Sequence, residues 1–202
     1  MAYAGWLTPS KQSGSGNDTV NFSANANNTG RNSRSTNVTF SAVGVESVVR
    51  QISQLGKPEY GTFNNSSAAA DKQGQTLTLT GKSNSSTLTF SLGTDNIGLT
   101  LPASYTAGGA TTANGAAIAG DPGATQEFDW SIQFVVPANT GVDPLTCQVV
   151  VTDDAGNTNM CTITLAAGDA TLSVSSVSGD LPWDGSSSVS VTVTSNTSWT
   201  VE

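Results

Sequence analysis

The sequence of 202 residues contains no histidine and only two cysteines. The missing histidine excludes a Ser–His–Asp triad and every metal site built on imidazole ligands. A phosphate-binding loop ending in Gly-Lys-Ser/Thr and a glycine-rich dinucleotide fingerprint are missing too. Two cysteines are too few for a small fold held together by disulfides. We therefore expect a protein that is not an enzyme and that binds no cofactor or metal.

Long apolar runs are also missing, and none approaches the length of a membrane span. The first six residues, MAYAGW, lack the basic and apolar regions of a secretory signal peptide. We expect a protein that is made in a cytoplasm, is not exported by the general secretory route and has no membrane partner.

Basic residues are scarce and unevenly placed. The chain has seven Lys and Arg residues and 15 Asp and Glu residues, which gives a net charge of −8. All seven basic residues lie at or before Lys82, so residues 1–82 carry +3 and residues 83–202 carry −11. The overall acidity disfavours nucleic acid as a partner. The asymmetry is either chance on a solvated surface or the mark of a dipolar subunit that is steered into head-to-tail contact.

Ser, Thr, Asn, Gly and Ala dominate what is present, and Val and Thr recur at alternate positions. This composition predicts an all-β protein with many turns. Val20 and Phe22 share one face of a strand predicted over residues 19–24, and residues 36–42 alternate in the same way. Residues 43–54 fit either a helix or a strand.

An internal repeat resolves that choice in favour of a strand. LTLTGKSNSSTLTF at residues 77–90 matches VSVTVTSNTSWTVE at residues 189–202 with a shift of 112 positions, which places Asn84 on Asn196. Several further matches follow at nearly the same offset, which is typical of repeated modules. We predict tandem immunoglobulin-like β-sandwiches, one complete and one split between the two chain ends: 1–57, the second half of a sandwich; 58–169, a complete sandwich; and 170–202, a first half.

A half sandwich exposes an apolar face and an unpaired strand edge, which invites strand addition. We predict that the two halves complete each other between copies of the chain, since short linkers disfavour closure within one chain. Closure in cis and packing of the tail on a different protein are the alternatives. The predicted subunit interface consists of Trp6, Val20, Phe22, Val189, Val191, Val193 and Trp199.

Four tryptophans are candidates for either core packing or sugar stacking. Trp130 alternates with Phe and Ile residues and is predicted to lie in the core. Trp6 and Trp199 fit a core position better than an exposed one. Trp183 follows Pro182 in a predicted loop, so it is the residue that we expect to contact a glycan, if one binds.

Three other features are candidates for a site. Cys147 and Cys161 are expected to lie opposite each other on a hairpin as buried thiols. Calcium could bind Asp153, Asp154 and Asn157 with the help of Asp143, but an Asx-rich turn without a metal is the favoured interpretation. The glycine-rich insertion at residues 109–126 is expected to be an unstructured loop or an arm that orders against a neighbour.

The pattern W-L-T-P-S, S-G-S-G, V-N-F and V-T-F within residues 6–56 resembles that of BACON domains. The resemblance implies immunoglobulin-like sandwiches of Bacteroidales proteins and their phages, and the BACON name implies carbohydrate binding. VTDDAGN at residues 151–157 is similar to bacterial and phage Ig-like repeats. The chain as a whole resembles small virion proteins of crAss-like Bacteroides phages. That resemblance implies a capsid auxiliary, decoration or head-fibre protein whose partners are its own copies and other virion proteins.

Overall fold

The computed structural model describes residues 3–202, and strands with turns account for all of their regular structure except one 3₁₀ turn. No α-helix occurs among these residues, and no helix there is long and apolar enough to cross a bilayer. The predicted all-β fold is confirmed.

The N-terminal part of the chain, residues 3–57, forms two separate antiparallel strand pairs. The first joins β1 (Leu7–Pro9) to β2 (Phe22–Ala24), and the second joins β3 (Arg34–Phe40) to β4 (Val48–Gln54). The region that fitted either a helix or a strand is therefore a strand from Val48. The strand predicted over residues 19–24 is shorter than expected, because only its last three residues pair with β1.

The middle of the chain forms two facing sheets. Their nine strands are β5 (Gly61–Phe63), β6 (Ser67–Ala70), β7 (Gln75–Ser83), β8 (Leu88–Asp95), β9 (Ser104–Ala107), β10 (Ala110–Ala113), β11 (Phe128–Val136), β12 (Leu145–Asp153) and β13 (Thr158–Leu165). One sheet has the order β10-β9-β11-β7-β5 and the other β6-β13-β12-β8. All pairs are antiparallel except β6 with β13. The longest ladder joins β7 and β11 in nine residue pairs.

Alternating apolar residues of both sheets fill the space between them, as in a β-sandwich. Trp130, as predicted, lies in this core with 2 % of its surface exposed. Its ring meets the rings of Phe63 and Phe90 edge to face, each with centroids 5.0 Å apart. Gly81 makes room for it, since a Cβ there would lie 2.2 Å from the indole ring. The core is therefore built around this tryptophan.

The insertion at residues 109–126 was expected to be unstructured or to order against a neighbour, and both expectations are wrong. β10 pairs with β9 in a hairpin, and residues Pro122–Ala124 form the 3₁₀ turn. Ile118 is buried in the core, with 4 % of its surface exposed. The segment orders on its own chain because its few apolar side chains reach the sandwich interior.

The tail after residue 170 contains one short antiparallel pair, β14 (Leu172–Val174) with β15 (Val193–Ser195). Between these strands the chain runs through an exposed loop that carries Trp183. The tail adds no residue to the core cluster of the middle module. It therefore lies outside the sandwich that precedes it.

The two cysteines are free and buried, as predicted, but they do not lie opposite each other. Cys147 pairs with Ile163, and Cys161 pairs with Val149, so the thiols are displaced diagonally by two residues. The two cysteines are symmetric about residue 154, but the pairs of β12 with β13 are symmetric about residue 155.

Candidate assembly surfaces

An open groove lies between the two strand pairs of residues 3–57. It has a volume of about 350 Å³ and is lined by Tyr3, Pro9, Lys11, Gln12, Val20, Phe22 and residues 37–40. On its wall Phe22 meets Phe40 edge to face, with centroids 6.3 Å apart. Val38 is 8 % exposed, whereas Phe40 is 41 % exposed. The groove thus has a mixed lining, in which apolar side chains such as Phe22 and Phe40 lie beside polar ones such as Lys11, and Phe40 is only partly covered.

The edge of β2 that faces away from β1 has no strand beside it in the described part of the chain. In the middle module the corresponding strand, β11, lies between β9 and β7. An unpaired edge presents free backbone N–H and C=O groups that a further strand can bind. The groove therefore offers partly covered apolar side chains, and the edge of β2 beside it offers unpaired backbone groups.

The tail carries a matching set of uncovered apolar side chains. Leu172, Val174 and Val191 are 61 %, 56 % and 45 % exposed, and Trp199 is half exposed. Full burial of an aliphatic side chain of this size contributes about 1.5–3 kcal/mol. Covering these side chains with another surface would therefore lower the free energy of the protein.

Asn84 connects the N-terminal part of the chain to the middle module. Its side-chain amide donates hydrogen bonds to the carbonyl oxygens of Thr29, Lys57 and Pro58 at 3.0–3.3 Å. Its Oδ1 accepts a bond of 3.1 Å from the backbone N–H of Tyr60. Asn84 is fully buried. We call this region, residues 28–32, 55–60, 84 and 121–127, the first joint.

Asn196 makes the same connection between the middle module and the tail. Its amide donates to the carbonyl oxygens of Thr140 and Asp169 at 2.9 and 2.8 Å. Its Oδ1 accepts a bond of 2.8 Å from the N–H of Thr171. Residues 139–143, 166–171 and 196 form the second joint. Thr140, Asp169 and Thr171 lie 111 positions after Thr29, Pro58 and Tyr60, so three of the bonds of Asn84 have counterparts at Asn196. The bond of Asn84 to Lys57 has none in the described part of the chain.

A second asparagine strengthens that correspondence. Asn28 donates to the carbonyl oxygens of Asn32 and Leu55, and Asn139 donates to those of Asp143 and Ala166. All three positions are again shifted by 111. The N–H of Lys57 also bonds to the oxygen of Gly30, as that of Gly168 does to Gly141. A shared pattern of this kind arises when successive modules are connected in the same way.

Charged residues reinforce both joints: the second has the ion pair of Lys72 with Asp169 at 2.5 Å, and the first has a larger cluster around Arg31. Arg31 forms a bidentate ion pair with Asp121 in the insertion and lies 3.3 Å from a carboxylate oxygen of Glu59. The guanidinium holds the pKa of Asp121 below its ordinary value. Burial raises the pKa of Glu59, and Arg31 opposes that rise. Asp121 adopts a left-handed backbone with φ of 40°, so the insertion turns sharply where it meets Arg31.

Two glycines allow the close backbone approach at the first joint. A Cβ on Gly30 would lie 2.3 Å from the backbone carbon of Thr125. A Cβ on Gly123 would lie 2.1 Å from the carbonyl oxygen of Asn84. The N–H of Arg31 donates to the oxygen of Gly123 at 2.9 Å across this contact. Glycine is required here because the two backbones touch directly.

The predicted interface residues fall into two groups that the structure does not bring together. Val20 and Phe22 line the groove, and Trp6 lies nearby with Arg34 stacked 4.9 Å above its ring. Val189, Val191, Val193 and Trp199 lie on the tail. Within residues 3–202, no hydrogen bond or ion pair joins the N-terminal part to the tail. Whether these residues form an interface stays a prediction.

Hydrogen bonds of the two aspartate side chains hold the acidic turn at residues 153–157. Asp153 accepts bonds from the N–H and the side-chain amide of Asn157, at 2.7 and 2.8 Å. Asp154 accepts bonds from the hydroxyls of Ser86 and Thr87. No group of three or more metal-ligating side chains occurs in the part of the chain that the structure covers.

Sequence reasoning found Asn84 and Asn196 as a matched pair but missed their partners. The tripeptide Asn-Thr-Gly at residues 28–30 recurs at residues 139–141. A search for short repeats at the offset of 111 would have found it. The predicted glycan contact, Trp183, is 99 % exposed and touches neither joint.

Comparison with known families gives one match. Residues 1–55 match the family model described as "BACON: Putative binding domain, N-terminal". Residues 1–55 are a BACON domain. The match covers less than a third of the chain and ends at the first joint. A comparison with curated proteins finds no match. The groove and the edge of β2 therefore belong to the BACON domain, whereas the middle module and the tail lie outside it.

Proposed function

We propose that this chain is a structural protein of a bacteriophage virion, a capsid auxiliary, decoration or head-fibre component that is made in the host cytoplasm. Copies join one another by β-strand complementation, and other virion proteins are further partners. The observation that supports the assembly role is that two surfaces leave apolar side chains uncovered: the groove of the BACON domain, with Phe40, and the face of the tail, with Leu172, Val174 and Val191. The virion assignment rests on the resemblance of the sequence to phage proteins. The role requires no catalysis, cofactor, membrane or nucleic acid.

The positions of the joints favour complementation between copies over closure within one chain. The first joint includes Asn84, which directly follows the end of β7. The second joint includes Asn139, whose N–H donates to the carbonyl oxygen of Lys72, just before β7 begins. The nine residues of β7 separate the joints by roughly 27–30 Å. The groove and the tail are therefore attached to opposite ends of the middle module.

A contact between unlike surfaces of identical subunits is heterologous, so it generates a ring or an open fibre, depending on the rotation between neighbours. The charges suit such an arrangement. Residues 1–57 carry +3, and residues 170–202 carry −3. The opposite net charges of the N-terminal part and the tail steer one subunit's tail toward the N-terminal part of the next subunit.

Solution mass measured by light scattering tests the assembly role. The full chain is expected to form oligomers, and a chain that ends at Asp169 is expected to be monomeric. A matched pair of full-length variants removes any effect of truncation. Val191→Asp places a charge on the tail face and should lower the mass, whereas Val177→Asp, at a similarly exposed position in the tail loop, should not. A monomeric, folded full chain would refute the proposal.

Glycan binding is a second candidate function. Trp183 favours it because its ring is almost entirely free in the loop between β14 and β15. An exposed indole can stack on a sugar ring, and the BACON model is described as that of a binding domain. Binding of the full chain to an array of host and mucin glycans tests this candidate. Hits that Trp183→Ala abolishes support glycan binding through this residue, hits that survive the substitution contradict the role of Trp183, and no hits at all contradict the candidate function.

A further inference from the structure

The two incomplete parts of the chain carry complementary portions of one module. The pairing of β3 with β4 runs from Arg34↔Gln54 to Phe40↔Val48. Adding 111 to both residue numbers of the first pair gives Leu145↔Leu165, which is the first pair of β12 with β13. The N-terminal part therefore has the register of the second half of the middle module.

The tail has the register of the first half of that module. Leu172 pairs with Ser195 in β14–β15, as Gly61 pairs with Ser83 in β5–β7. Leu172 follows Gly61 by 111 positions, and Ser195 follows Ser83 by 112. The hydroxyl of Ser195 also donates to the oxygen of Thr171, as that of Ser83 does to Tyr60. The tail thus reproduces both the pairing and the side-chain contacts of the first half.

The middle module shows how such halves meet. Phe134 pairs with Leu77 and Ile132 pairs with Leu79 in the ladder of β11 with β7. Val-Asn-Phe at residues 20–22 aligns with Ile-Gln-Phe at residues 132–134 because both place a polar residue between an aliphatic residue and a phenylalanine. Asn28 follows Phe22 by six residues and Asn139 follows Phe134 by five, so the shift is 112 here and 111 at the joints. With this shift of 112 positions, residues 20–24 correspond to residues 132–136 of β11, and residues 187–191 correspond to residues 75–79 of β7.

Resting on the proposed function, we infer that residues 187–191 of a second copy pair antiparallel with residues 20–24 in a defined register. Phe22 lies opposite Val189, and Val20 lies opposite Val191. These four apolar side chains face the groove. Asn21 and Ser190 face outward and stand opposite each other, as Gln133 and Thr78 do in the middle module. The side chains of Gln133 and Thr78 are joined by a hydrogen bond of 3.1 Å. Both faces of the added strand therefore match in polarity.

Two charged residues limit how far the correspondence extends. Arg50 stands at the position of the buried Cys161, and Asp18 stands at the position of Trp130. Asp18 already pairs with Lys11 at 2.5 Å, and the long side chain of Arg50 can reach solvent at the rim. The completed module therefore has a smaller core than the middle one, and the register is set by residues 20–24 and 187–191.

A disulfide between copies tests the register. In the inferred arrangement Ser23 lies opposite Ser188, and both are exposed. Mixing Ser23→Cys protein with Ser188→Cys protein under mild oxidation should give a covalent dimer on a non-reducing gel. Thr192→Cys is the matched control, because it points to the same face four residues along the strand, roughly 13 Å away. The native Cys147 and Cys161 give little background, since both are fully buried.

Each outcome bears on the inference. The register is supported if Ser23→Cys protein forms a covalent dimer with Ser188→Cys protein but not with Thr192→Cys protein. Equal or stronger cross-linking with Thr192→Cys overturns it, as does the lack of both dimers while light scattering still shows tail-dependent oligomers. In those cases the proposed assembly role stands. If the chain is monomeric and no dimer forms, both fail. A double variant, Ser23→Cys with Ser188→Cys, that forms only an intramolecular disulfide refutes pairing between copies.

Discussion

Replacing Asn84 with alanine should destabilise the middle module substantially. Asn84 has no exposed surface, and its amide bonds to three carbonyl oxygens and to the N–H of Tyr60. The substitution leaves the Tyr60 N–H without its acceptor and the carbonyl groups of Lys57 and Pro58 without a donor. A buried polar group that loses its partner costs about 1–3 kcal/mol. We expect the free energy of unfolding to fall by about 2–4 kcal/mol, since water can reach only some of these groups.

Urea unfolding followed by tryptophan fluorescence measures this loss, because Trp130 is buried in the same module. Asn196→Ala is the matched control. Its asparagine makes the equivalent bonds but is exposed, so water replaces them at little cost. Asn84→Asp separates hydrogen bonding from packing. A carboxylate there faces carbonyl oxygens, so its pKa rises and its penalty shrinks as the pH falls from about 7 to about 5. Equal losses for Asn84→Ala and Asn196→Ala, or a loss below about 0.5 kcal/mol for Asn84→Ala, would refute this reasoning.

Two further predictions concern titratable groups. Because Arg31 lowers the pKa of folded Asp121, the pair stabilises the fold fully above the unfolded pKa of about 3.9 and loses that effect as the pH falls through the lower folded pKa. Asp121→Asn should therefore reduce stability at neutral pH but not at the acidic end, as measured by thermal unfolding; a constant difference at all pH values would contradict this. Burial, with a smaller effect of Asp95, raises the pKa of the Cys147 thiol to about 12. Iodoacetamide at neutral pH should leave Cys147 unmodified by mass spectrometry until urea unfolds the chain, and rapid native labelling would show that the core is open.

The strands could be predicted where alternating apolar side chains marked them. Phe128, Trp130, Ile132 and Phe134 specify β11 so clearly because every second residue enters the core. The insertion was misjudged for the opposite reason. Its Ala, Thr and Gly residues have no periodicity, and its order depends on Ile118 in the core and on the ion pair of Asp121 with Arg31, which is 90 residues away in sequence.

The joints were hidden for a different reason. Asn, Thr and Gly are so common in this sequence that Asn-Thr-Gly at residues 28–30 carries no local signal. Its role depends on the distant Asn84, which a single sequence does not connect to Thr29. The register of β12 with β13 was missed by one residue because a symmetric spacing of two cysteines does not fix the length of the turn between them. Contacts set by backbone geometry are the ones that sequence patterns miss.

The placement of the joints has a mechanical consequence. The chain enters the middle module at Lys57, beside one end of β7, and leaves it at Gly168, beside the other end. A pull on the two ends of the chain therefore acts along the strands. Ladder hydrogen bonds lie perpendicular to the strands, so such a pull loads them in shear, and many bonds must yield together. A string of modules connected in this way would resist stretching better than one whose strands could be peeled apart one bond at a time.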